Sequence, residues 1–95
     1  MRMVITAHGF DLTEDLRADV EREIERLAQG LDRSINVVAV HLFDEQEHRC
    51  TGEDKRCCVQ VEFDEGVCVI DDDAEPDFRD SVPVAFTKVL RASPH

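Results

Sequence analysis

A chain of 95 residues is one domain's worth, long enough to close a single core without disulfide or metal staples. Apolar residues make up 42% of it, which suffices for that core, while 22 acidic against 11 basic side chains leave a net charge of −11. That surplus excludes bulk electrostatic attraction to DNA, RNA or anionic lipid, and favours solubility or a basic partner.

The opening MRMVITAHGF is too short and too polar for the apolar region of a secretory signal. No apolar run reaches membrane-spanning length. A cytoplasmic location is expected, with Cys50, Cys57, Cys58 and Cys68 as reduced thiols. MVITAH (3–8) alternates as a short strand, with Met3 and Ile5 on one face and Val4 and Thr6 on the other. In LTEDLRADVEREIERLAQG, the residues Leu16, Val20, Ile24, Leu27 and Leu31 recur at helical spacing and make one narrow apolar stripe. Thr13 fits the N-cap, Glu14 and Asp15 suit the positive end of the helix dipole, and Gly30 marks the stop.

INVVAVHLF (35–43) is rich in β-branched residues and predicts a strand with Val38, Val40 and Leu42 buried. Residues 44–56 are polar and read as a loop, with Lys55 and Arg56 as its solvated charges. RCCVQVEFDEGVCVID holds two strands around Asp64-Glu65-Gly66, a tight hairpin. Cys57, Val59, Val61 and Phe63 alternate toward the core, and Cys58, Gln60 and Glu62 away from it. The second strand is expected to end at Ile70, leaving Asp71 to Pro76 as an acidic connector into the last helix. A calcium loop there lacks the glycine and the closing bidentate glutamate that such loops use.

The last segment places Phe78, Val82, Phe86 and Val89 at helical spacing, with Asp77 as cap. Pro83 conflicts with an uninterrupted helix, because it removes one backbone hydrogen bond and crowds the preceding turn. Either the helix accommodates Pro83 with a kink, or it starts late behind a Ser81 cap. The order β-α-β-β-β-α predicts an α+β two-layer sandwich spanning 1–95 as one domain. It has a four-stranded mixed sheet and two helices on one face. The opposite sheet face stays open, with Val37, Ala39, His41 and Phe43 on it.

Catalytic motifs are missing: there is no phosphate loop, nucleophile elbow, dinucleotide fingerprint or zinc-protease motif. An enzyme is not expected, nor a cofactor. Cys50, Cys57, Cys58 and Cys68, with His48, lack the paired close spacing of zinc ligands, and adjacent Cys57 and Cys58 point to opposite faces of a strand. Buried thiols are the plain reading of Cys57 and Cys68, and a thiol- or metal-responsive module is the weakest of the three functional readings. His8, His41 and His48 read as ordinary strand or loop residues.

The chain resembles the ribosome hibernation promoting factor family, also called ribosome-associated inhibitor. The resemblance runs through ITAH, LTEDLRADVEREIERL with the following DR, the hairpin, and D-F-x-x-S-V-x-x-A-F-x-K-V-x-R in the last helix. Thr13, Leu16, Arg17, Val20, Arg26, Leu27, Asp32, Arg33, Asp77, Val82, Ala85, Lys88 and Arg91 match the family's residue types. Arg79 stands where the family often has an aromatic, and Pro83 where it has a helix former. The resemblance implies a fold similar to double-stranded-RNA-binding domains. It implies docking on the small ribosomal subunit in the channel used by mRNA and tRNA, blocking translation and protecting idle ribosomes. It also implies the short form, without the further C-terminal domain through which long members pair ribosomes. Under that reading Arg22, Arg26, Arg33, Lys88 and Arg91 are the candidate contacts to ribosomal RNA. Arg22, Arg26 and Arg33 are expected to project together, while Asp19 and Glu23 sit three residues before Arg22 and Arg26 and partly neutralise them. The alternative is an acidic paralogue that kept the fold, lost the RNA surface and binds a protein, such as a basic one.

Overall fold

The computed structural model describes residues 1–45 and 54–94. In chain order these form β1 (Arg2–His8), α1 (Glu14–Gln29), β2 (Ile35–Asp44), β3 (Lys55–Phe63), β4 (Cys68–Glu75) and α2 (Phe78–Ala92). The β-α-β-β-β-α order is the one expected from the sequence. The four strands make one sheet in the order β1-β2-β3-β4. β1 pairs with β2 in parallel, and the other two pairings are antiparallel. A parallel neighbour needs a crossover, and α1 supplies it.

Period-two alternation sets the buried sheet face. Val38, Val40 and Leu42 of β2 lie opposite Val61, Val59 and Cys57 of β3, and all six are fully buried. α1 adds Val20, Ile24 and Leu27 to this core, and α2 adds Phe78, Val82, Ala85, Phe86 and Val89. Both helices therefore cover the same side. Val37, Ala39, His41 and Phe43 are half-buried on the other face, as the alternation requires.

α1 opens at Thr13, whose hydroxyl accepts the Leu16 N–H at 3.2 Å. It closes at Gly30, whose N–H reaches the carbonyls of Arg26 and Leu27. Gly30 keeps a right-handed φ of −82°, so the stop does not use glycine's left-handed freedom. Gly66 does: at φ +92° it turns the β3–β4 hairpin, where a side chain would be strained although nothing lies within 4 Å. Phe63 N–H to the Val67 carbonyl, at 2.8 Å, closes that turn.

Two sequence expectations need correction, and one choice the sequence left open is decided. Asp71 to Glu75 is not a connector but the second half of β4, paired through to Glu75 opposite Lys55. An edge strand tolerates such charge because half of its backbone faces no neighbour. Here the side chains also find cations: Asp72 receives Arg56, and Asp73 receives Lys88. The loop expected over 44–56 is shorter, since β2 runs to Asp44 and β3 starts at Lys55. Lys55 and Arg56 are accordingly strand residues. Lys55 holds Asp44 and Asp54 at 3.0 and 2.9 Å, and Arg56 holds Glu45 and Asp72. Finally, α2 does not start late. Asp77 caps it by accepting the Arg79 N–H at 2.8 Å, Pro83 lies inside it, and Ser81 is buried rather than capping. Among the described residues no helix is long and apolar enough to cross a membrane.

Candidate functional site

The helix layer presents a groove between α1 and α2. One end is lined by Leu16, Asp19, Arg22, Phe78, Arg79 and Pro83. The other is lined by Arg26, Leu27, Phe86, Thr87 and Leu90, and Glu23 borders both. The floor is apolar because the helical stripes that build the core leave Leu16 and Leu90 only partly covered. The rims are charged because the next positions round each helix face water.

Every cation on those rims is matched by a carboxylate of its own helix or cap. Arg22 Nη2 lies 2.6 Å from Asp19 Oδ1, and Arg26 Nη1 lies 3.1 Å from Glu23 Oε1. These are the i,i+3 pairs expected from the sequence. Arg79 donates to Asp77 Oδ2 through Nε and Nη2, at 3.2 and 2.9 Å. The Arg79 side chain, helped by its backbone N–H, holds the Asp77 carboxyl below the usual carboxylate range. Arg79 was not among the sequence candidates. The sequence marked it only as standing where the family often has an aromatic, and the packing of α1 on α2 reveals that it shares a groove with Arg22.

Lys88 and Arg91 stand on the far flank of α2, around a shallow depression with Pro83, Val84 and Thr87. Pro83 and Thr87 also line the groove, so the two regions form one continuous surface. Lys88 bridges to β4, donating to the Asp72 carbonyl at 3.0 Å and to Asp73 Oδ1 at 3.2 Å. Arg91 is exposed, and alone of the five candidates it has no carboxylate partner among the described residues. Arg33 does not lie on α1. It follows Gly30, and its Nη1 grips both oxygens of Glu65 at 2.7 and 2.8 Å, tying the hairpin turn to the α1–β2 connection. The structure thus joins Arg22, Arg26, Lys88 and Arg91 across two helices and places Arg33 with the hairpin.

The open sheet face carries a smaller cluster. Thr6 Oγ1 lies 2.6 Å from His41 Nδ1 and 3.2 Å from His8 Nε2, and His8 stacks on Phe43 at 4.6 Å. These histidines have ordinary strand partners, and His48 and Cys50 lie outside the described residues. Cys57 and Cys58 point to opposite faces, as expected. Burial pushes both thiols up; for Cys58, Asp72 adds to this and Arg56 opposes it. Thiols raised in this way are poor nucleophiles and poor metal ligands at neutral pH.

The family model described as Sigma 54 modulation protein / S30EA ribosomal protein matches residues 3–92. The chain belongs to this family. S30EA-family proteins are ribosome-associated modulation factors rather than enzymes, so the resemblance carried by the two helices and ITAH holds. Among solved structures, a ribosomal subunit interface protein from Coxiella burnetii superposes with a TM-score of 0.79 at 16% identity, over 97% of this chain and 92% of that one. The N-terminal domain of Thermus thermophilus Protein Y does so with a TM-score of 0.77 at 18% identity, over 97% and 94%. At these identities the likeness shows the shared fold. No curated protein matches the sequence.

Proposed function

We propose that this S30EA-family chain is a translation inhibitor of the hibernation class. It would bind the small ribosomal subunit in the channel used by mRNA and tRNA, and act in the cytoplasm by steric occupancy. The observation that carries this reading is the family match over residues 3–92, together with a two-helix surface on which Arg22, Arg26, Lys88 and Arg91 remain at least partly exposed. Arg33 would contribute from the hairpin side, where it is about one-third exposed. With a net charge of −11, long-range attraction to RNA is absent, so affinity must come from short-range contacts and shape. The exposed ion pairs are not a barrier to this. Each contributes roughly 0–1 kcal/mol, and a charge-assisted contact to phosphate is of at least that size.

A second reading is favoured by the same pairing. If the carboxylates hold the arginines against RNA, the surface is that of an acidic paralogue that binds a protein. Co-sedimentation with ribosomes and separated subunits, at low and near-physiological salt, separates the two. The proposed function expects small-subunit binding that persists at the higher salt. It also expects that Arg22→Glu with Arg26→Glu weakens binding by roughly tenfold or more and lowers the salt slope by about one to two. Binding indifferent to these reversals would remove the helix groove from the interface. Absence of binding even at low salt would leave the protein-binding reading, to be pursued by pull-down of a basic partner.

A further inference from the structure

Resting on the proposed ribosomal reading, we infer that Asp19 and Glu23 are built-in competitors for the RNA backbone that set how tightly this chain binds. The groove offers Arg22, Arg26 and Arg79 to a phosphate chain, but each guanidinium already holds a carboxylate at 2.6 to 3.1 Å. Arg22 gives Nη1 and Nη2 to Asp19, and Arg26 gives Nη1 to Glu23, so a phosphate must either share each guanidinium with its carboxylate or displace that carboxylate. The displaced carboxylate then stays within the same groove, where both residues form part of the lining. Glu23 is the more consequential of the two. Its side chain is 20% exposed, and it borders both ends of the groove, so a phosphate chain running the length of the groove passes it.

The exchange has a distinctive salt signature. A free arginine meeting a phosphate releases the counterions condensed on the nucleic acid, and this makes affinity fall steeply with salt. An arginine that leaves a carboxylate behind releases fewer ions in total, because the freed carboxylate recruits cations of its own. Binding through this groove is therefore weaker, and less salt-dependent, than its number of arginines would give. Asp77 acts on Arg79 in the same way, but it is also the α2 cap, so its removal would confound fold with function.

The test compares three full-length chains on purified small ribosomal subunits across a salt series: wild type, Asp19→Asn with Glu23→Gln, and Glu62→Gln with Asp64→Asn. The last pair makes the same charge change on β3 and its turn, where neither side chain holds a cation among the described residues. The groove variant should bind roughly three- to tenfold more tightly than wild type, the range two exposed ion pairs can supply, with a steeper salt slope. The remote variant should stay near wild type at physiological salt, where charges more than about 8 Å away are screened. Equal gains in both variants would mean that net charge alone matters, and would overturn the inference. Unchanged affinity in the groove variant while wild type binds would overturn it too, leaving the ribosomal reading intact. If no chain binds at any salt, the ribosomal reading fails and the inference falls with it.

Discussion

Cys57 and Cys58 show how much one residue of register decides. Adjacent in sequence, one is sealed in the core against Leu42 and the other lies beside His41 on the open face. That division was legible from alternation alone, because β3 places an apolar residue at every second position. Burial raises both thiols, so neither is a ready thiolate near neutral pH. Cys68, by contrast, is exposed near the hairpin, where the sequence had suggested a buried thiol. Alkylation of the native protein at pH 7, followed site by site by mass spectrometry, should therefore, among the three described cysteines, modify Cys68 first and Cys58 slowly. Cys57 should react only after denaturant is added. Native labelling of Cys57 at the rate of Cys68 would contradict its inward placement. Arg79 marks the opposite limit at this scale: its exposure could be read from helical phase, but its proximity to Arg22 depends on how two distant segments pack.

At the scale of elements, strong periodicity and good capping chemistry made β1, α1, β2 and the hairpin legible to within a residue or two. The second half of β4 was not, for a physical reason. Asp71, Asp72, Asp73 and Glu75 contain no apolar alternation, and their strand conformation rests on backbone pairing with β3 and on Arg56 and Lys88 from other elements. No local pattern encodes such partners. Pro83 left two choices open, and the core decided between them. Phe78, Ser81 and Val82 are buried in the first turns of α2, so a late start would forfeit their packing. The helix instead accepts a proline that cannot donate to the Arg79 carbonyl. Pro83→Ala should restore that donor and stabilise the protein by about 2 kcal/mol, once the roughly 1 kcal/mol that proline saves in the unfolded chain is subtracted. The measurement is the urea midpoint at unchanged m-value. A midpoint that falls instead would show that the ring's place in the groove beside Leu16 outweighs the lost hydrogen bond.

The whole molecule carries its net charge of −11 within a radius of gyration of 13.1 Å. Few of its acids are more than a couple of Debye lengths apart in dilute buffer, so they repel one another in the folded state. Raising NaCl from about 0.01 M to 0.5 M shortens the screening length from roughly 30 Å to a few ångström. The exposed ion pairs lose little by this, since each contributes little to begin with. Thermal unfolding followed by circular dichroism should therefore show the midpoint rising with salt by a few degrees; a fall would mean that the ion pairs outweigh the repulsion. The pairing of arginine with carboxylate across the helix groove has one more consequence on the proposed reading. A cell is crowded with polyanions, and a basic module spends much of its time on the wrong ones. An acidic chain whose groove arginines already hold carboxylates is held less by stray phosphate. It stays free until it meets a surface whose contour, rather than whose charge, fits its own.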